Sequence, residues 1–482
     1  IVLDPNAPAT NMWLLSNVKI EETWISARVD RAKPAFVQQF HFFNKNDHRN
    51  DILLHVKPEI TKTYGDTLST RLNFADITKI EVFELNAGKT VGLVLGAAVA
   101  IGVVVVAIAC GCPYVYTETP EGIKLEGELY AGAVYPQLER HDWLALDHLP
   151  AVDQQYRIHM ANKLPENQRT NLLELEVIDH APGIRPLFDK YGRLHTLRHL
   201  QPPATATNVS GADVLAAVRA EDDNIFLGDL QNDRSDATER LTLTFAKPAT
   251  ARQAKLLIHA KTTDWLSTVY HQFQVELGEY GPKMRQKSSK KSADKILGWM
   301  ERQKIPLAVW LETRPGKWKK VDYFQGAGSI AFKNDVLAID LSGVQGDSLR
   351  LRLEYGFHFW EIDYAALDFS PDVPIFQHTL WPVSAITNTG EDVTQALIRD
   401  DAAYYNQPNI DDEARVTFAA PPGLAGQERS LILHAKGHYE IYHEPVSGRP
   451  GVFQLMSWNK ENALPRLSRE RWQETRQLAA KQ

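Results

Sequence analysis

An uninterrupted apolar stretch constrains this chain more than any other feature. The twenty residues from Val91 to Cys110 carry no charge and no hydrogen-bonding side chain other than the Cys110 thiol. A helix needs about 20 such residues to cross a bilayer, whereas strands are usually about 3–10 residues long. The stretch therefore predicts a transmembrane-like helix over 88–112. A buried core segment is the alternative interpretation, because the β-branched run 103–106 would suit a strand.

Small residues recur at every fourth position in the first half of this stretch. They are Gly88, Gly92, Gly96 and Ala100, and they line one face of the predicted helix. Such a face lets a second backbone approach closely, as in the packing of membrane helices. The sequence therefore predicts two kinds of partner, membrane lipid around the helix and other membrane-protein subunits at this face.

The chain has only two cysteines, and both lie at the end of the apolar stretch. Cys110 and Cys112 are one residue apart, so a bridge between them would be strained. Two cysteines provide neither a disulfide framework nor a zinc quartet. They are interpreted either as small buried apolar residues or as lipidation sites near the membrane edge.

Length and charge exclude some functions. The chain has 482 residues, enough for about three domains of ordinary size. Its net charge of −7 gives no basic field of the kind that nucleic acid attracts. No P-loop, dinucleotide fingerprint or nucleophile elbow occurs, so the sequence predicts no cofactor and no nucleic-acid partner.

Short alternating strands separated by polar turns predict a mainly β fold. The predicted units are a small β-barrel or β-roll over 1–87, the glycine-zipper helix over 88–112, a β-hairpin domain over 113–205, a jelly-roll or β-sandwich unit over 206–372 with a helical insertion at 283–304, and a second, shorter copy of that unit with a C-terminal helix over 373–482.

An internal repeat relates the last two units. The segment Leu256–Lys261 matches Leu431–Lys436, and the segments before them match in the same order. His259 and His434 therefore hold equivalent positions. Recurrence in both copies favours a structural role for these histidines, such as a hydrogen bond across the edge of a sandwich.

Four short motifs between Asp76 and Tyr135 resemble a known family. They are D-I-x-K-I before the apolar stretch, G-K-T-V-G at its start, C-P-Y-V-Y from Cys112, and G-E-L-Y-A-G-A from Gly127. In this order they resemble a family of uncharacterised bacterial cell-envelope proteins, whose members look like exported lipoproteins. The resemblance extends loosely to Asp179. It implies an envelope location and brings no catalytic residues.

A search for catalytic and ligand-binding residues selects few candidates. His195 and His199 have the spacing of helical metal ligands, but no H-E-x-x-H motif or further ligand accompanies them, so no metal site is predicted. Acidic residues are numerous on the predicted loops, and nothing selects a glycosidase pair among them. The aromatic residues proposed as a ligand platform are Trp265, Trp360 and Tyr364.

These observations favour a non-enzymatic, membrane-anchored envelope protein that acts as a structural or interaction subunit of a larger membrane assembly. A glycan-binding β-sandwich protein at the cell surface is the alternative, and a glycoside hydrolase is less favoured. The chain starts at Ile1 without methionine. The chain is therefore either truncated or processed, and a processed start would fit removal of an export signal, with a lipidated cysteine just before residue 1. The outer membrane is preferred over the inner membrane.

Overall fold

A computed structural model describes two parts of the chain. In the first part it describes the strands at 2–3, 12–20, 24–31, 52–56, 67–73 and 77–82. In the second it describes residues 113–120, 122–443, 447–448, 450, 455 and 457–479. The predicted helix over 88–112 lies outside the described residues, together with its proposed packing and lipidation positions Gly88, Gly92, Gly96, Ala100, Cys110 and Cys112.

None of the helices among the described residues has both the length and the apolar character that crossing a membrane requires. The described residues are mainly β, as the sequence predicts. The chain divides into two compact units, one formed by 1–103 with 450–459 and the other by 104–449 with 460–482.

The first unit contains one six-stranded sheet. Its strands β1 to β6 are Val2–Leu3, Met12–Ile20, Trp24–Arg31, Ile52–Val56, Thr67–Asn73 and Ile77–Val82. Their order across the sheet is β5-β3-β2-β1-β4-β6. Neighbouring strands are antiparallel except β1 and β4, which run parallel.

The second unit contains two pairs of larger sheets and one two-stranded sheet, formed by Arg185–Phe188 and Leu194–Leu197. Its strands β7 to β16 are Tyr114–Thr119, Gly122–Glu128, Arg140–Ala145, Gln155–Ala161, Glu166–His180, Arg185–Phe188, Leu194–Leu197, Thr205–Thr207, Thr238–Ala246 and Gln253–Thr262. The strands β17 to β26 are Leu307–Arg314, Lys317–Phe324, Lys333–Asp340, Ser348–Gly356, Trp360–Asp368, Phe376–Leu380, Ser384–Thr387, Tyr405–Gln407, Glu413–Ala419 and Glu428–Ile441.

The first sheet pair combines strands that are far apart in the sequence. One sheet has the order β23-β25-β10-β7-β8, and the other has the order β22-β11-β26-β9 with β24 beside β11. The sheets therefore join strands of the predicted hairpin domain, 113–205, to strands of the predicted second copy, 373–482. They do not follow the boundary expected between those two units.

The second sheet pair is made entirely from β14 to β21. One sheet has the order β14-β15-β20-β17-β18 and the other the order β19-β16-β21. Strand pairing is the same in both sheet pairs: β25 contacts β23 and β10 as β15 contacts β14 and β20, and β26 contacts β9 and β11 as β16 contacts β19 and β21.

The two copies differ in the order in which equivalent strands occur along the sequence. In the second sheet pair the strands run in one continuous order, whereas in the first pair β7 to β11 come before β23 to β26. The first pair is thus a circularly permuted version of the second, and the second is inserted between β11 and β22. The second copy of the repeat is as complete as the first, because residues 114–180 supply its missing strands.

The structure gives both bounds of five α-helices among the described residues. They are α1 Asp264–Leu277, α2 Gly281–Ser288, α3 Ala293–Arg302, α4 Thr394–Leu397 and α5 Ala463–Ala479. The insertion between β16 and β17 therefore begins at α1, earlier than the predicted 283–304. The Thr263 side chain caps α1 by accepting from the Leu266 amide. Ser292 stands at the N-cap of α3, but its side chain makes no capping hydrogen bond.

Alternation of side chains along β11 positions the site described next. Leu173, Leu175 and Val177 are fully buried and lie on the core face of the sheet. Successive residues of a strand point to opposite faces, so Glu174 and Glu176 lie on the other face. The apolar residues fix the register of β11, and that register presents the two carboxylates together.

Candidate functional site

The three aromatic residues expected to form a ligand platform lie in different surroundings. Trp360 is fully buried, and its indole N–H donates to the Ile305 carbonyl at 2.9 Å. Its ring offers no face to a ligand, so Trp360 is not available as part of a platform, because a strand rich in aromatic residues supplies core as readily as surface. Trp265 packs edge-on against Trp472, with ring centroids 5.2 Å apart.

Tyr364 and His195 contact other side chains of the fold. Tyr364 packs against an apolar cluster formed by Leu187, Leu197, Leu257 and Val336. His195 lies on strand β13, where its Nε2 is 3.0 Å from the Asp189 carboxylate. His199 lies beyond the end of that strand and is exposed. The two histidines therefore do not share a helix face.

A different group of polar side chains converges on the outer face of the sheet β22-β11-β26-β9. Glu174 on β11 lies directly opposite His434 on β26, which lies opposite Trp143 on β9. The His434 Nδ1 is 2.8 Å from a Glu174 carboxylate oxygen. Ligand-type atoms of Glu174, Glu176 and His434 all lie within 4.8 Å of one another.

Three side chains from the edge of this sheet hold the two carboxylates in place. The Trp381 indole N–H donates to Glu174 at 3.1 Å. The Thr379 hydroxyl contacts both Glu176 oxygens at 3.0 and 3.1 Å, and the Gln377 amide donates to Glu176 at 2.9 Å. Each carboxylate is therefore oriented by a donor on β22 or just after it, and the supporting elements are strands of a sheet.

A second imidazole orients His434 from the other side. His141 Nδ1 and His434 Nε2 share a hydrogen bond of 2.9 Å. The His434 ring also stacks on Trp143 with centroids 4.8 Å apart and an interplanar angle of 1°. Burial lowers the pKa of His141, and the neighbouring charges of His434 and Lys436 lower it further. A neutral imidazole has one donor and one acceptor nitrogen, so the His141 Nδ1 can either donate to the His434 Nε2 or accept from it.

The side chains of this group differ widely in exposure. Glu176 is only 5% exposed, whereas Trp381 is 53% exposed. The indole N–H is directed at Glu174, so the exposed part of the ring is a fixed apolar surface beside two carboxylates. We call Glu174, Glu176, His434 and Trp381 together the outer-sheet site.

The second sheet pair shows what the same position looks like without these side chains. His259 is equivalent to His434, but it lies opposite Tyr364 instead of a glutamate. Two residues further along β21 stands Ala366, where β11 has Glu176. The His259 Nδ1 contacts the Asn334 side-chain oxygen at 3.0 Å. The histidine is thus common to both copies, and the carboxylate pair occurs in one of them.

Sequence reasoning missed this group for an identifiable reason. The alternation in Leu173-Glu174-Leu175-Glu176 does predict two carboxylates on one strand face. The partner His434 is 260 residues away, so only knowledge of the strand pairing brings the three side chains together. The repeat did identify His434, but as a structural residue.

Comparisons with known proteins give this site no precedent. No family model and no curated protein match the chain. Among solved structures, the chain is similar to one described as "The Triple Jelly Roll Fold and Turret Assembly in an Archaeal Virus", at 7% sequence identity over 71% of this chain and 92% of that chain, with a TM-score of 0.14. A likeness at this level assigns neither a fold nor a function.

Proposed function

We propose that this chain is a non-enzymatic glycan-binding protein of the cell envelope, held at a membrane by the apolar stretch Val91–Cys110. We also propose that its two sheet pairs are jelly-roll sandwiches that arose by duplication, in keeping with their shared strand pairing. The observation that carries the binding proposal is the half-exposed ring of Trp381, fixed by its hydrogen bond to Glu174.

The chemistry of the outer-sheet site matches that of a sugar. A pyranose ring has an apolar C–H face and a rim of hydroxyl groups. A fixed indole covers the apolar face at little entropic cost, and carboxylates beside it accept hydrogen bonds from the hydroxyls. An apolar surface with a few placed polar groups is the general composition of a small-ligand site. Trp381 thereby replaces Trp265, Trp360 and Tyr364 as the expected platform.

The binding proposal is tested by screening the purified full chain on a broad glycan array, in detergent if it needs one. We expect Trp381→Ala to abolish the signal. Phe376→Ala is the matched control, because Phe376 is 59% exposed on the strand that precedes Trp381 and contacts neither carboxylate. Equal binding by both variants, or no binding by the native chain, would rule out the proposed site. Cleavage of a bound glycan would instead indicate a hydrolase.

The membrane proposal rests on the sequence alone, on the twenty apolar residues and the small-residue face at Gly88, Gly92, Gly96 and Ala100. We expect the native chain to enter the detergent phase in a two-phase extraction. A variant with Leu95→Arg and Val103→Arg should move to the aqueous phase, since each arginine in a bilayer core costs about 2.5–3.5 kcal/mol. Unchanged partition of the double variant would contradict the proposal.

A structural or interaction subunit is the second candidate, and one surface favours it. Val383 and Ile386, which flank or lie on the edge strand β23, are 58% and 38% exposed. Edge strands with apolar side chains tend to pair with other chains. If the protein docks a neighbouring subunit there, Val383→Lys should release it from a larger assembly, as measured by sedimentation of a detergent extract. Unchanged sedimentation of that variant would count against this candidate.

A further inference from the structure

We propose that Glu174, Glu176 and His434 bind one divalent transition-metal ion of the zinc class, whether or not a glycan binds beside it. The proposal differs from the prediction made from the sequence, which expects no metal site. It rests on the ligand types, on the charge balance, on the surrounding hydrogen bonds and on the comparison between the two sheet pairs.

The donor set suits zinc. Zinc is bound by histidine nitrogen and glutamate oxygen at about 2.0–2.2 Å, and open zinc sites have three protein ligands with a fourth position for water. An imidazole together with two carboxylates favours a transition metal over calcium, which takes six to eight oxygens. The three side chains already have ligand atoms within 4.8 Å of one another, so small side-chain movements bring them around one ion.

The charge balance also favours a cation. Glu174 and Glu176 lie next to each other, and Glu176 is buried. Among the residues the structure describes, no lysine or arginine forms an ion pair with either carboxylate, and Glu176 accepts only from the neutral donors Thr379 and Gln377. The nearby Lys436 is engaged by Asp400 and Glu139, at 2.5 and 3.4 Å. Two neighbouring carboxylates repel each other unless a proton or a cation lies between them.

The side chains around the three ligands have the arrangement of an outer coordination shell. Such shells consist of hydrogen bonds that orient the ligating histidine and carboxylates. Here Trp381 orients Glu174, Thr379 and Gln377 orient Glu176, and His141 contacts the ring nitrogen of His434 that faces away from the carboxylates. When Nδ1 of His434 turns its lone pair to a metal, Nε2 carries the proton and donates to His141.

The second sheet pair shows that the fold does not need the carboxylates. It keeps the histidine, as His259, and replaces Glu174 and Glu176 by Tyr364 and Ala366. The position equivalent to His141 is occupied by Phe332, which stacks on His259 at the same 5.1 Å centroid distance as His141 on His434. The two carboxylates and the outer shell are therefore present together in one copy and absent together from the other.

The test measures zinc binding by the purified full chain after EDTA treatment and dialysis, by calorimetric titration and elemental analysis. We expect one zinc per chain and an increase in melting temperature, because a ligand that binds only the folded state stabilises it. Glu176→Gln, which keeps the shape of the side chain, and His434→Ala should lose this stoichiometric binding. His141→Ala should weaken it about 10-fold, the usual effect of an outer-shell residue.

His259→Ala is the matched control, because it removes the equivalent histidine from the copy that has Tyr364 and Ala366 in place of Glu174 and Glu176. It should bind zinc like the native chain, and since the titration contains no glycan, the result does not depend on glycan binding. Native-like binding by both Glu176→Gln and His434→Ala would overturn the proposal, as would a native chain that binds no zinc. Saturation by calcium but not by zinc would overturn the assignment to a transition metal. If His434→Ala does not fold, the result with Glu176→Gln decides.

Discussion

Lys333 and Asp142 form an ion pair that connects the two sheet pairs. The Lys333 Nζ lies 2.5 Å from an Asp142 oxygen, and both side chains are less than 10% exposed. Asp142 belongs to β9 of the first sheet pair, and Lys333 starts β19 of the second. Asp142 also accepts from the Tyr130 amide. Burial raises the pKa of Asp142, but the positive charges of Lys333 and Arg140 lower it more, so the pKa lies below its usual value.

Breaking this pair should be strongly destabilising. Lys333→Met leaves a buried carboxylate without its main partner, and we expect a loss of about 3–5 kcal/mol in the free energy of unfolding measured with urea. Adding Asp142→Asn should recover part of that loss. Lys163→Met removes the exposed Lys163–Asp411 pair and should cost less than about 1 kcal/mol. Equal losses in the two single variants would contradict this account.

A buried glutamate should make stability depend on pH. Glu166 is 1% exposed, and burial raises its pKa to about 8. Because the folded chain then holds a proton that the unfolded chain has released, stability falls as the pH rises from the unfolded value near 4.3 towards 8. Glu166→Gln removes this loss.

The measurement is urea unfolding of the native chain and Glu166→Gln between pH 5 and 9. The difference between the two curves should grow in favour of Glu166→Gln by no more than about 1.4 kcal/mol per pH unit and should level off above pH 8. Using the difference matters, because burial also raises the pKa of Glu239 to about 7. Parallel curves would mean that Glu166 ionises in the folded chain as it does in the unfolded one.

Truncation of Trp360 and truncation of Trp381 should change stability by very different amounts. Trp360→Ala empties a fully buried site and should cost about 3–5 kcal/mol of stability. Trp381→Ala removes a half-exposed ring and should change stability by about 0.5 kcal/mol or less. Thermal unfolding of both variants checks this. A larger loss from Trp381→Ala would indicate that its ring packs as core.

Gly437 should be intolerant of a side chain. A Cβ atom built there would lie 2.5 Å from the backbone oxygen of Arg169 and 2.6 Å from the Tyr130 ring. Gly437→Ala should therefore destabilise the chain by about 1–3 kcal/mol, the usual cost of overpacking. Gly423→Ala is the control, since a Cβ at that position meets nothing within 4 Å. We expect its melting temperature to equal or slightly exceed that of the native chain.

Local features of the fold could be predicted from the sequence, and long-range ones could not. Alternation predicted the mainly β class, because the pleat imposes a period of two. The repeat predicted that His259 and His434 are equivalent. Pairing between strands can involve residues that are hundreds of positions apart in the sequence. The pairing of β11 with β26, which forms the outer-sheet site, therefore could not be predicted from local patterns. Trp381 stands between Leu380 and Pro382, outside any alternating run.

The permuted order of the first sheet pair also determines when a nascent chain can complete it. Strands β14 to β21 are all present once synthesis reaches Asp368, whereas β9 and β11 wait for β26, the last strand that the structure describes. Contacts of such long sequence separation form slowly and leave strand edges open meanwhile. A chain that ends before Glu428 would keep the strands of the second sheet pair but would lack β26. The strands β9 and β11, made much earlier, would then lose their shared partner, so a C-terminal truncation would disrupt a sheet that begins near the start of the unit.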